Sequence, residues 1–136
     1  MEDFKTPEEV LRSLKELEEK LWERRMKLLW QYEKIERIKR NIKVMEDSIR
    51  EHFGIDPSSE EALLLAHKEQ SSLFEHLSAQ YGEEKVPYLM ELVERIRYVV
   101  DARRELKEIE VEVKMLDNEI DAMLEQIREY KRRFLS

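Results

Sequence analysis

The sequence predicts an all-α protein in which two long helices and one shorter helix form an elongated coiled-coil rod. Three observations support this fold class: 42% of the 136 residues are charged, only two are glycine, and apolar residues recur with alternating spacings of three and four along two long stretches. Charged, solvated flanks and few loop-forming residues are typical of long helices that pack through one apolar stripe.

The first helix is predicted over residues 7–53. Thr6 can cap its first turn, Pro7 suits the first helical position, and Gly54 is the residue type favoured just past a helix end. Every seventh residue of this segment is apolar: Leu14, Leu21, Leu28, Ile35, Ile42 and Ile49. A helix of this length needs a long partner, because it cannot bury its stripe in a small globule.

The shorter helix is predicted over residues 59–81, and the last helix over residues 86–134. Ser59 precedes two glutamates, which is a helix-start pattern, and Gly82 follows the expected end. In the last helix the seven-residue ladder comprises Leu92, Val99, Leu106, Val113, Ile120, Ile127 and Phe134. We assign all three helices to a single domain, residues 1–136, since the length allows one domain and nothing indicates two.

The width of the apolar stripe predicts how the helices pack. The stripe is narrow in the second half of the first helix and in the second half of the last helix, which favours a two-helix contact between these halves. The shorter helix would then cover the first half of the last helix, and the first half of the first helix would have no partner in its own chain. A second copy would cover it, so we expect a homodimer, in an antiparallel arrangement. The competing topology, in which the shorter helix folds back on the first, also leaves half-helices uncovered.

The residue types argue against an enzyme and against a metal site. The chain has no cysteine and three histidines. His67 and His76 are nine residues apart and therefore point to opposite sides of a helix, and His52 belongs to another helix. A zinc site needs four ligands within tetrahedral reach, and the sequence contains neither a nucleophile motif nor a glycine-rich phosphate loop. We therefore expect no catalytic residues, no metal and no cofactor.

Charge and hydropathy indicate the location and exclude some partners. The net charge of −7 repels a polyanion on average. No apolar run approaches the length of a membrane-spanning helix, and residues 1–5 do not resemble a signal peptide. We expect a soluble, cytoplasmic protein that does not contact a membrane. The abundance of lysine, arginine and glutamate without cysteine also fits a thermophilic source.

Four large apolar residues lie on the side of the first helix opposite its ladder; they are Trp22, Met26, Leu29 and Trp30, and we call them the tryptophan surface. A contiguous apolar patch opposite the core is typical of a binding surface. It is either the dimer interface or a site for another protein. The sequence therefore predicts a non-enzymatic protein–protein interaction or scaffolding component, such as an adaptor or an assembly chaperone.

The alternative is a nucleic-acid-associated factor that uses residues 20–43. This segment has nine lysines and arginines against three glutamates, and it contains both tryptophans. Basic residues interleaved with aromatic ones can bind phosphates and stack on bases. The candidate contacts are Arg24, Arg25, Lys27, Lys34, Arg37, Arg40 and Lys43. They do not gather on one face of the helix, as a groove-binding surface requires.

Overall fold

Helices account for all of the regular structure in the described part of the chain. The computed structural model describes residues 6–135 apart from Glu69, and of Gln70 and Ser71 it describes the backbone alone. Within these residues the elements are α1 (Pro7–Phe53), α2 (Glu60–His67), α3 (Gln70–Tyr81), a short 3-10 helix (Glu83–Lys85) and α4 (Val86–Leu135). The all-α prediction is confirmed. Residues 1–5, where no signal peptide was expected, lie outside the described residues.

The two long helices begin and end where their capping residues predict. The Glu9 N–H donates to Thr6 Oγ1 at 3.2 Å and so satisfies one donor of the first turn of α1. Gly54 follows α1 with a φ of +65°, and Gly82 lies before the 3-10 helix with a φ of +90°. Both values belong to the region that favours glycine, because a Cβ would clash with the backbone there. The predicted bounds of 7–53 and 86–134 therefore agree with α1 and α4.

The predicted single helix over residues 59–81 is wrong, because the chain breaks it into α2 and α3. Lys68 has an extended backbone, with φ −72° and ψ 143°. Arg97 of α4 stabilises this break, since its Nε donates to the Ala66 carbonyl at 3.0 Å and its guanidinium also donates to the Lys68 carbonyl. These bonds occupy carbonyls that the end of a helix leaves without partners. The local apolar spacing continues through the break, so it gives no sign of the arginine that arrives from α4.

Replacing Arg97 by methionine is expected to destabilise the protein by about 2 kcal/mol, because hydrogen bonds from a charged group to buried carbonyls are lost while the aliphatic volume is kept. Thermal unfolding monitored by circular dichroism measures the change, and amide hydrogen exchange should become faster in α2. Arg104→Met is the matched control, since the Arg104 guanidinium lies at the surface, 3.9 Å from Asp101. Equal stability of the two variants would contradict the role assigned to Arg97.

The contacts divide the chain into two compact units, of which the second comprises Glu36–Glu108. It contains the last part of α1, the helices α2 and α3, and the first part of α4. Its most deeply buried side chains are Ile49, Leu73, Leu77, Leu92, Val93 and Ile96. Leu73 and Leu77 of α3 pack against Val86 and Val93 of α4. The prediction that the shorter helical segment covers the first half of the last helix is therefore confirmed.

Aromatic and polar contacts join the end of α1 to the start of α4 within this unit. The rings of Phe53 and Tyr88 have their centroids 4.6 Å apart, and the Tyr88 hydroxyl donates to the His52 carbonyl at 2.9 Å. Arg95 lies three residues after the ladder residue Leu92 and is half-buried on the same side of α4. Its guanidinium lies 5.2 Å from the Phe53 ring centroid and donates to Ser48 Oγ at 2.6 Å. After α2 and α3, the chain thus places the start of α4 beside the end of α1.

The first unit combines the residues up to Ile35 with those from Ile109 onwards. Leu14 and Leu21 of α1 form one buried cluster with Ile120 and Ile127 of α4. The prediction that the first half of the first helix has no partner in its own chain is therefore wrong, as is the pairing of the two late halves. Within this unit it is the second half of α4 that packs against the first half of α1.

Polar residues within the apolar stripe of α1 are paired across this contact. Arg24 Nε donates to Glu119 Oε2 at 2.9 Å, and Gln31 Nε2 donates to Glu112 Oε2 at 2.6 Å. These two pairs are seven residues apart on both helices, so they define a single antiparallel register. Polar pairs at seam positions select a register, although they contribute little stability at an exposed site.

Candidate protein-interaction surface

The tryptophan surface lies on the first part of α1 and is exposed. Trp22 and Trp30 expose 63% and 65% of their surface, and Leu29 exposes 55%. Met26 lies four residues from each tryptophan and is half-buried, as expected where neighbouring side chains at this spacing cover it. The prediction that these four residues lie together, away from the apolar stripe, agrees with this placement.

Helix geometry explains why these residues do not join the core. The buried residues Leu14 and Leu21 of α1 lie on the face that packs against α4. With 3.6 residues per turn, Trp22, Met26 and Trp30 fall about 100–180° away from Leu21 on that face. A two-helix contact covers one face of each helix. The indoles therefore remain outside it, although they are the largest apolar side chains of the chain.

The two indoles border a surface cavity of about 500 Å³. Met26 and Lys27 also line it, and the remaining lining residues are Glu23, Arg24 and Gln31. Leu29 is not part of this cavity. An indole offers a broad apolar face and one N–H donor, so the cavity suits an apolar side chain with a polar group at its edge.

Neither a metal-binding cluster nor a membrane-spanning helix occurs among the described residues. In the part of the chain that the structure covers, no three histidine, cysteine, aspartate or glutamate side chains are placed so that they could bind one metal ion. Among the same residues, none of the helices has an apolar segment long enough to cross a bilayer. What the surface can do chemically is bury apolar area and pair charges.

The basic residues of the nucleic-acid hypothesis are dispersed over α1. Arg24 forms an ion pair with Glu119 at 2.9 Å, while Arg25, Lys27, Arg37, Arg40 and Lys43 are exposed and Lys34 is half-buried. Lys27 and Arg24 line the cavity beside the indoles. Because these basic side chains are dispersed, they do not form a single positively charged groove. The nucleic-acid role stays a prediction.

Compared with known protein families, with curated proteins and with solved structures, the chain has no significant match. Its function is therefore inferred from its own surfaces.

Sequence reasoning missed a second concave site, which lies in the second unit between α2, α3 and α4. Its lining residues come from separate segments between Ile55 and Ile96. The only local signal was the apolar run Leu63, Leu64 and Leu65, which has more apolar residues than one helix face can bury.

Proposed function

We propose that this protein is a non-enzymatic protein–protein interaction component that docks through the tryptophan surface. The observation that carries the proposal is the exposure of Trp22 and Trp30 on one side of the same helix. Tryptophan is the residue type most enriched among those that dominate binding energy at protein interfaces. Two exposed indoles separated by about 12 Å along a helix form a patch, whereas scattered surface apolar residues need no explanation.

The occupant we propose is a second copy of the chain, with the two α1 helices antiparallel. Charge changes sign along α1 across the tryptophan surface: residues 8–23 have six acidic and three basic side chains, whereas residues 31–43 have five basic and two acidic ones. An antiparallel pair places the acidic segment of each copy beside the basic segment of the other. A two-fold interface repeats this complementarity twice.

The area of the indoles supports an interface that extends into these charged segments. Their exposed parts supply roughly 250 Å² per chain, because a tryptophan buries about 150–250 Å² in full. A stable interface buries about 800 Å² per partner. The neighbouring turns of α1 must therefore contribute, and charge complementarity there favours this partner over an uncharged apolar one.

A charge-swap experiment tests the proposed dimer. The double variant Glu19→Lys with Glu23→Lys, and the double variant Arg37→Glu with Arg40→Glu, are each expected to weaken self-association by about tenfold or more at low salt, because like charges then face each other. An equimolar mixture of the two variants should recover the association as a heterodimer. Sedimentation velocity reports the mass, and the recovered species should have twice the 16.6 kDa of one chain.

The possible results distinguish a failure of the second-copy proposal from a failure of the protein-interaction proposal. A parent chain that sediments as a monomer at micromolar concentration would contradict the second-copy proposal. The interaction proposal would still stand if a different protein then bound in a manner that depends on both tryptophans. Salt-sensitive retention on heparin, abolished by the Arg37→Glu and Arg40→Glu variant, would instead support the nucleic-acid alternative.

A further inference from the structure

We propose that the second unit contains a binding site for a small amphipathic anion, an apolar molecule that ends in a single carboxylate. The site is the cavity between α2, α3 and the first part of α4, which we call the α2–α3 cavity. Its volume is about 410 Å³, within the range of about 300–1,000 Å³ that is typical of small-molecule sites. It involves none of the residues of the tryptophan surface.

The floor of the α2–α3 cavity is apolar and already buried. Ala62, Leu92 and Ile96 line it and expose no more than 1% of their surface. Leu65 and Leu89, both half-buried, extend the same lining. A concave apolar surface of this kind favours the hydrocarbon part of a ligand, because transfer of each methylene from water to an apolar surface is favourable.

The rim of the cavity is polar and carries charges of both signs. Lys68 lines it from the break that follows α2, His76 lines it from α3, and Glu61 is the one acidic residue among the described lining residues. No ion pair joins the Lys68 ammonium or the His76 ring to another side chain in the described part of the chain. Gln80 and Tyr81 add a neutral amide and a phenol at the same rim. Lys68 and His76 are half-buried, whereas Glu61 is exposed to solvent. Solvent therefore screens the Glu61 carboxylate more strongly than the Lys68 ammonium, and the rim favours an anionic head group over a cationic one.

The helix break at Lys68 creates this site. Two separate helices, rather than one continuous helix, form its walls, and the bonds from Arg97 to the Ala66 and Lys68 carbonyls hold the break. The α2 wall is eight residues long, which corresponds to about 12 Å. Walls of this length enclose a compact ligand.

Binding of decanoate to the full-length chain tests the proposal. Isothermal titration calorimetry should show saturable binding of one decanoate per chain. Decyltrimethylammonium, which has the same alkyl chain and a positive head group, should bind about tenfold more weakly, since an opposite charge at a partly exposed rim contributes about 1–2 kcal/mol. Lys68→Glu should weaken decanoate binding by a similar factor.

A matched pair of leucine variants locates the ligand. Leu64 lines the α2–α3 cavity and exposes 61% of its surface, so Leu64→Trp fills the cavity from its rim without disturbing the core. Its neighbour Leu63 does not line this cavity, and Leu63→Trp is the control. Leu64→Trp should abolish decanoate binding, whereas Leu63→Trp should preserve it.

Methyl NMR on the parent protein gives a readout that requires no variant. Decanoate should shift the methyl resonances of Leu92 and Ile96 and leave those of Leu14 and Ile127 unchanged. Equal binding of the anionic and cationic ligands would overturn the proposal. The same conclusion would follow if Leu64→Trp bound decanoate as the parent does, or if decanoate shifted no methyl group of the cavity.

Discussion

Replacing either Leu21 or Ile120 by aspartate is expected to lower the free energy of unfolding by about 3–5 kcal/mol, because each change places an unpaired carboxylate in a buried apolar contact. The two side chains belong to one buried cluster between α1 and α4. A loss of this size lowers the melting temperature by roughly 10–17 °C for a chain of this length. Circular dichroism during thermal and urea unfolding measures both quantities.

The two substitutions also test which halves of the long helices meet. Because Leu21 and Ile120 share one cluster, the double variant should lose less stability than the two single losses added together. Asp121→Lys is the control: Asp121 is the exposed neighbour of Ile120, and a surface substitution of this kind changes stability by about 0.5 kcal/mol at most. If Ile120→Asp destabilised the protein and Leu21→Asp did not, the two residues would not share a cluster. The result would then favour the original prediction, in which the second half of α1 pairs with the second half of α4.

Replacing both Trp22 and Trp30 by alanine is expected to abolish the proposed dimer while the monomer stays folded. In a two-fold interface the variant loses four indoles, and each interface tryptophan of this kind contributes about 2 kcal/mol or more. If these contributions add, they sum to about 8 kcal/mol, and dissociation should become about 10⁵-fold easier or more. The melting temperature of the monomer should change little, since both indoles are mostly exposed in the single chain.

Tryptophan fluorescence supplies an independent measurement on the parent protein. Emission should be red-shifted when the chain is dilute and monomeric, and it should move to shorter wavelength as the concentration rises and the indoles leave water. Tyr32→Ala is the matched control for the double tryptophan substitution, because Tyr32 is an exposed aromatic residue of α1 outside the tryptophan surface. This variant should associate as the parent protein does. Two results together would show that the interface does not include the tryptophan surface. These are emission that does not change with concentration and a dimer that persists after the double substitution.

The bounds of α1, the start of α4 and the position of the tryptophan surface follow from the sequence alone. Capping at Thr6 and the left-handed glycines Gly54 and Gly82 are local effects, so α1 and the start of α4 could be placed without any tertiary information. The periodicity also separated the seam of α1 from Trp22 and Trp30, because the angle between two residues of one helix depends only on their spacing.

Tertiary contacts decided which stripes meet and where the shorter helix breaks. A seven-residue ladder shows which face of a helix is buried, but one apolar ladder resembles another, so the partner of each half is not encoded locally. The Phe53–Tyr88 contact joins the helices where the chain returns, and the Arg24 and Gln31 pairs are consistent with one register. The break at Lys68 depends on Arg97, which bonds to a carbonyl 31 residues earlier in the chain. The α2–α3 cavity lies between the two helices that this break separates, and the apolar run Leu63–Leu65 indicates neither the break nor the residues of α4 that line the cavity.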